Sequence, residues 1–188
     1  MDNVYTIVGI DPGNNLGVGI LYVDIDTNKI IKVKSRTFVL DRYINRDLVP
    51  NVMLARCQYL QDIVSNVVFR YQPVIVGLEA AFMNVRFATS VIQLSQYVMS
   101  ICLAVSNTRP FTKIIKYPPK YIKASVGAGG NADKDDMKSN LLKIKEISSY
   151  IDIDYLTEHE IDALSIAYLT YKEVLLNPYL LITLPNHI

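Results

Sequence analysis

The chain has 188 residues, of which 51% are hydrophobic and 20% are charged, and its formal net charge is +1. This length predicts a single domain over 1–188, and the apolar content excludes an intrinsically disordered protein. No basic stretch precedes an apolar segment at the N-terminus, and no apolar run approaches the roughly 20 residues that span a bilayer. We therefore expect no secretion signal, no transmembrane segment and no membrane partner.

The first forty residues predict three strands joined by turns. Segments 4–10, 17–24 and 30–40 are rich in Val, Ile, Tyr and Phe, and the clusters at 11–15 and 26–29 are typical of turns. The pattern indicates an antiparallel meander.

Helices and strands alternate in the rest of the chain. Apolar residues recur near the helical period over 51–71 and 85–105, and short buried strands are predicted at 74–78 and 112–117. The remaining predicted elements are a short helix over 120–125, a glycine-rich loop over 126–132, a helix over 133–147 with Asp133 as N-cap, and a final helix from Thr157. Together they predict a mixed sheet flanked by helices, which belongs to the α/β class.

One helical stripe has two interpretations. Its members lie alternately three and four residues apart: Val91, Leu94, Val98, Ile101 and Val105. Such a stripe usually faces the core, but on a helix that also packs outward it forms a dimer seam. The helix around Val91–Val105 is the candidate homodimer interface.

Three acidic residues occupy positions next to apolar runs. Asp11 and Glu79 each follow a predicted buried strand, and Asp162 lies near the start of the final helix. A carboxylate at the tip of a buried strand is unfavourable unless water, a cation or a partner compensates it. Magnesium prefers such oxygen ligands, and three carboxylates suffice to bridge and flank two ions about 3.5–4 Å apart. Asp11 is the best candidate bridge, although an Asp-Pro-Gly turn also has a purely structural interpretation.

Charge is distributed unevenly along the second half of the chain. Segment 109–145 carries nine basic residues against three acidic ones, whereas 146–162 carries six acidic residues and no basic one. A basic tract beside an acidic tip suits a metal-dependent enzyme acting on phosphodiesters, because phosphates must be attracted everywhere except where the cations bind. Two solvated faces are the alternative interpretation.

Four ordered motifs resemble those of RuvC-type Holliday-junction resolvases. They are Gly9-Ile10-Asp11-Pro12-Gly13 with Gly17, Leu78-Glu79 followed by Phe82-Met83, Ile122-Lys123-Ala124-Ser125-Val126-Gly127 leading to Ala132-Asp133-Lys134, and His159 through Ala167. The resemblance covers about 4–172 and leaves the tail 173–188 without an assigned role. It implies a ribonuclease H-like fold, with a five-stranded sheet of three antiparallel and then two parallel strands. It also implies a homodimer that cleaves four-way DNA junctions by paired symmetrical nicks with magnesium, wherever the replicating DNA resides.

Carried over residue by residue, the resemblance implies that metal ions bind Asp11, Glu79, His159 and Asp162, with manganese as a substitute for magnesium. His159 stands where the family often has aspartate. Histidine is a better ligand for manganese than for magnesium, and it loses this capacity when protonated. Positioning or deprotonating the attacking water are alternative roles for His159.

Basic and aromatic residues complete the implied site. Lys134 would neutralise charge on the scissile phosphate, Lys123 would hold the backbone, and Phe82 matches an aromatic residue that wedges against bases at the crossover. Two neighbouring lysines, Lys120 and Lys138, are further expected DNA contacts.

Three other functions are kept open. An actin-like ATPase also opens with an Asp-x-Gly turn, but those chains are roughly twice as long and repeat the motif. A nuclease of the same fold that cuts flaps, branched DNA or RNA–DNA hybrids is compatible with the same residues. A non-catalytic junction-binding protein is the third option, and the complete acidic set argues against it.

Overall fold

The computed structural model describes residues 3–45, 47–81, 88–130 and 132–181. One five-stranded sheet organises these residues, with strand order β3-β2-β1-β4-β5. Its strands are β1 (Val4–Asp11), β2 (Asn15–Asp24), β3 (Ile30–Val39), β4 (Ile75–Glu79) and β5 (Lys113–Tyr117). The first three pair antiparallel, and β4 and β5 add in parallel to β1. The predicted mixed sheet is confirmed.

Helices cover both faces of the sheet. They are α1 (Val52–Tyr71), α2 (Ala88–Thr108), α3 (Pro119–Ser125), α4 (Lys134–Lys143), α5 (Lys145–Ser148) and α6 (Glu158–Leu176). Short 3₁₀ turns lie at Leu40–Tyr43, Ile153–Tyr155 and Pro178–Leu181. The α1 and α2 helices enclose one core with the sheet, and α3 to α6 enclose the other.

The central strand β1 contributes to both cores. Ile7 lies in the α6 core, whereas Val8 and Ile10 lie in the α1–α2 core, and all three are fully buried. Burial on both faces explains the continuous apolar run that precedes Asp11. The strand therefore ends with a carboxylate at the centre of the sheet edge.

A row of glycines lets α6 lie directly on the sheet. Gly19, Gly9 and Gly77 are side by side on β2, β1 and β4. A Cβ at Gly9 would overlap the backbone of Ala163 and Ala167 on α6. This close approach fixes the depth at which the first turns of α6 reach the sheet edge.

The predicted helix over 133–147 is wrong in one respect, because it is broken at Ile144. This residue is extended, with φ −82° and ψ 95°, and separates α4 from α5. Leu141 and Ile147 are both fully buried. In a continuous helix, two residues six positions apart point about 120° away from each other, so the break allows both to enter one core.

Three of the five residues in the candidate dimer stripe on α2 face inward. Val98, Ile101 and Val105 are buried in the α1–α2 core, so the core interpretation is correct for these three residues, whereas Val91 and Leu94 are half-buried. The exposed apolar residues of the same helix lie on its other side: Ile92, Met99 and Leu103. The described part of this helix starts at Ala88, and the predicted positions 85–87 lie outside the described residues.

The same helix is long and apolar enough to pass a test for membrane spans that uses length and composition alone. Within the described residues, Thr89–Thr108 is the segment that meets this test. Its inward side contributes Tyr97, Ala104 and the three buried stripe residues to the core, as the core helix of a folded domain does.

Candidate active site

The acidic residues singled out in the sequence meet at one edge of the sheet. Asp11 is the last residue of β1 and Glu79 is the last residue of β4. These strands are parallel neighbours with Ile10 opposite Leu78, so the two carboxylates follow at equivalent positions. The first turns of α6 bring His159 and Asp162 to the same edge.

His159 is hydrogen-bonded to Asp11. Its Nδ1 lies 2.9 Å from Oδ2 of Asp11. Gly17, which pairs with Asp11 across the β1–β2 hairpin, makes this approach possible, because a Cβ there would overlap the carbonyl oxygen of His159. The glycine in the first motif is therefore a steric requirement for the position of the histidine.

The start of α6 is fastened to the edge strand β3. Thr157 is the N-cap and forms the predicted capping box with Glu160. The Ser35 hydroxyl donates a hydrogen bond of 3.0 Å to Oε1 of Glu160, and the hydroxyls of Thr37 and Thr157 are 2.5 Å apart. These bonds fix the direction in which His159 and Asp162 project.

Two carboxyl groups of the site resist ionisation. Burial, followed by the charges of Asp11 and Asp162, raises the pKa of Glu79 from 4.5 to about 7. Burial and the charge of Asp11 raise the pKa of Asp162 from 3.8 to about 6. Negative charges crowded in a partly desolvated place repel each other, and a bound cation would relieve this repulsion.

His159, in contrast to the two carboxyl groups, favours its charged form. The hydrogen bond to Asp11 raises the pKa of His159, and burial acts against this effect. Its Nε2 also lies 3.4 Å from Oε1 of Glu158. The protonated imidazole therefore partly compensates the carboxylates, in competition with any metal ion that would take the same ring.

Two of the predicted lysines lie beside the carboxylates. Lys123 and Lys134 line a cavity of about 220 Å³ together with Glu158 and Asp162. Lys134 forms an ion pair with Glu158. The Nζ of Lys123 donates a hydrogen bond of 2.6 Å to the carbonyl oxygen of Ala132, and its charge opposes the raised pKa of Glu79 and Asp162.

The other predicted DNA contacts either do not line this cavity or lie outside the described residues. Lys138 binds Asp154, with Nζ 3.1 Å from its Oδ1. Lys120 is exposed, and its Nζ lies 5.3 Å from the centre of the Tyr121 ring. Neither residue lines the cavity. Phe82 lies outside the described residues.

The donor set suits a divalent cation chemically, although it is not arranged as a finished coordination shell. Carboxylate oxygens and an imidazole nitrogen are ligands for magnesium and manganese. Over the described ranges, no three Asp, Glu, His or Cys side chains converge closely enough to hold one ion. The Asp11 carboxylate is instead turned to His159. The argument that these residues suit a divalent cation therefore rests on which donors they are, how closely they lie together, and the raised pKa values of Glu79 and Asp162.

Glu158 was not singled out by the sequence analysis, yet it links two of the candidate residues. One carboxylate oxygen pairs with Lys134 and the other approaches His159. The hydrogen bond from Lys134, and then its positive charge, lower the pKa of Glu158. Its position beside Thr157 only indicated a favourable charge at a helix N-terminus, so the sequence offered no signal for the bridging role.

Comparisons with known proteins identify relatives of this chain. The family model described as crossover junction endodeoxyribonuclease RuvC matches residues 7–169. A protein of that name from Dictyoglomus thermophilum is 31% identical over 151 residues, which cover 78% of this chain and 88% of the relative. Another, from Chloroherpeton thalassium, is 30% identical over 112 residues, 60% of this chain and 56% of the relative.

A solved structure shares the fold. Thermus thermophilus RuvC in complex with Holliday junction substrate superposes with a TM-score of 0.68 at 18% identity, over 92% of this chain and 97% of that chain. The predicted ribonuclease H-like fold is confirmed.

Proposed function

Because the chain belongs to the RuvC family of crossover junction endodeoxyribonucleases, we propose that it resolves four-way DNA junctions by paired symmetrical nicks. The observation that carries this proposal is the meeting of Asp11, Glu79, His159 and Asp162 at one sheet edge. The nuclease unit is the whole chain, acting where replicating DNA resides.

We assign the metal to these four residues, with magnesium as the ion and manganese as its substitute. When bound, a pair of such ions supplies a water of lowered pKa and stabilises the leaving 3′-oxygen in an in-line displacement. The raised pKa values of Glu79 and Asp162 support the assignment, because a carboxyl that resists ionisation next to other acids is where a cation gains most. Asp11, on the central strand β1, interacts with each of the other three, since its charge raises the pKa of Glu79 and of Asp162 and it is hydrogen-bonded to His159.

We assign the contacts with the DNA phosphates to the lysines. Lys123 lies close enough to influence both raised carboxyls, which suits a residue that holds the DNA backbone beside the reacting phosphate. Lys134 is tied to Glu158 in the absence of DNA and would exchange that carboxylate for a phosphate oxygen. Lys120 and Lys138 would contact the backbone farther out, and Phe82 would wedge against bases.

A four-way junction contains two equivalent strands to cut, so a twofold homodimer places two active sites at once. The exposed apolar residues Ile92, Met99 and Leu103 on α2 support this helix as the interface. Residues of this size are usually buried in a contact when they line one side of a helix.

Cleavage of a labelled immobile junction tests the proposal, with duplex, flap and RNA–DNA hybrid substrates of matching sequence. We expect symmetrical nicks in the junction alone with magnesium or manganese, and binding without cleavage for Asp11→Asn. The asparagine keeps the size of Asp11 and a hydrogen-bonding partner for His159 but removes the charge. Preferential cutting of the flap or hybrid would reassign the substrate. Tight junction binding without cutting under either ion would make the chain a binding protein.

A further inference from the structure

A second cavity, of about 510 Å³, shares no lining residue with the carboxylate site. It runs along β3, which is an outer strand of the sheet and in the described part of the chain pairs with β2 alone. The outer side of such a strand presents unpaired backbone N–H and C=O groups. We refer to this cavity as the β3 groove.

Most of the β3 groove lies between α1 and the α1–α2 face of β2 and β3, because Val18 and Ile20 of β2 line it and pair with Arg36 and Lys34 of β3. Two of its lining residues belong to the α6 side: Val33 is in that core and Ser35 binds Glu160 of α6. Phe38 belongs to the α1–α2 side. Because Val33 and Ser35 also line it, the groove extends around the outer edge of β3 to the place that the next strand of the sheet would take.

The walls of the groove combine apolar surface with fixed positive charge. Its cations are Lys34, Arg36 and Arg70, and none of its described lining residues is acidic. Each cation lies over an aromatic ring: Lys34 is 5.4 Å from the centre of Tyr71, Arg36 is 4.9 Å from Phe38, and Arg70 is 5.6 Å from Tyr71. Cation–π contacts hold these heads at the groove without neutralising them.

We propose that the β3 groove binds an acidic, extended peptide segment of a partner protein, which adds to the sheet as a sixth strand. Backbone hydrogen bonds to β3 would supply the register, and alternate side chains of an added strand point to opposite faces. Carboxylates on the α1–α2 side would meet Lys34 and Arg70, and apolar side chains on the opposite side would lie beside Val33 and Ile151. The proposal concerns a partner and is independent of junction cleavage.

A nucleic acid fits this groove less well. Single strands bind such surfaces by stacking bases on aromatic rings, but here the protein's own cations lie over Tyr71 and Phe38. A phosphodiester chain also lacks the alternating donors and acceptors that an open strand edge pairs with. Lysine and arginine on an edge strand repel basic strands and discourage indiscriminate pairing, which leaves an acidic strand as the complementary occupant.

Fluorescence anisotropy with a labelled peptide tests the proposal. The probe is acetyl-Asp-Val-Glu-Val-Asp-Val-Glu-amide carrying fluorescein, titrated with the full chain in the absence of DNA. Arg70→Glu should weaken binding about tenfold or more, since it replaces a charge-assisted pair with a repulsion. Lys29→Glu is the matched control, because it makes the same charge change on an exposed turn that does not line the groove, and it should bind as the wild type does.

Two further measurements make the result specific. The same peptide with N-methyl groups on alternate amides keeps its charge and apolar side chains but loses backbone donors, so its affinity should fall at least as far. Thermal unfolding and junction cleavage of Arg70→Glu should match the wild type, which excludes misfolding. Absence of peptide binding, equal binding by Arg70→Glu, or equal binding of the methylated peptide would each overturn the proposal. An oligo-dT strand that displaces the peptide and is itself weakened by Arg70→Glu would assign the groove to nucleic acid instead.

Discussion

Replacing Glu79 by glutamine should stabilise the metal-free protein at alkaline pH while it removes activity. The folded-state pKa of Glu79 is about 7, against an ordinary value of 4.5, and burial is the main cause. A carboxyl with a raised pKa binds its proton more tightly in the folded state, so the free energy of unfolding falls as the pH rises from the ordinary to the raised value. The rise corresponds to about 3 kcal/mol at pH 8, which Glu79→Gln would recover in large part because glutamine has no charge to bury.

Urea denaturation in the presence of EDTA at pH 5 and pH 8 measures this effect. The stability loss of the wild type between the two pH values also contains Asp162 and His159, so the difference between variant and wild type isolates Glu79. Asp62→Asn is the control, because it removes a carboxylate from the exposed side of α1. If Glu79→Gln is no more stable than the wild type at pH 8, or gains the same amount at pH 5, the argument from burial is refuted. Added magnesium should stabilise the wild type at pH 8 and leave the variant nearly unchanged.

Three further predictions concern the support of the site and the assembly. Gly17→Ala should lower junction cleavage and cost about 1–3 kcal/mol of stability, because the new Cβ overlaps the carbonyl of His159. Gly129→Ala is the control, because open space surrounds Gly129, and it should change neither quantity. Equal nicking rates and equal melting temperatures for the two variants would contradict the steric argument. Glu158→Gln should release Lys134 from its ion pair and tighten junction binding in a low-salt gel-shift assay. Glu173→Gln on the same helix is the control. Unchanged affinity of Glu158→Gln for the junction would mean that the ion pair does not compete with DNA for Lys134. Met99→Glu on the exposed side of α2 should give a monomer in sedimentation velocity, whereas Phe69→Glu on α1 should not, and a Met99→Glu dimer would move the interface elsewhere.

Several features of the fold were predictable because they are local. Segments rich in Val, Ile, Tyr and Phe predicted the strands, the Thr157–Glu160 capping box located the start of α6, and Asp133 was correctly expected to cap α4. The break at Ile144 was missed, because the helical period of 133–147 contains no proline or glycine to end it. Only the need to bury both Leu141 and Ile147 in one core explains the break.

The inward side of α2 is a second feature that the sequence alone could not decide. A stripe of apolar residues at helical spacing indicates a buried face, but the stripe does not say whether another helix of the chain or a second molecule covers it. The structure covers Val98 and Ile101 with the chain's own core and leaves Met99 outside.

The sequence by itself singled out the candidate site residues: Asp11, Glu79, His159 and Asp162 were selected from their positions at the ends of apolar elements and from the order of the motifs. Tertiary structure alone decided how they meet, because Asp11 and His159 are 148 residues apart and come within 2.9 Å only where Gly17 admits the first turn of α6. Tertiary structure also decided the bridging position of Glu158 and the charge of each group. A pKa depends on burial and on neighbouring charges, and both are properties of the assembled fold and not of the local sequence.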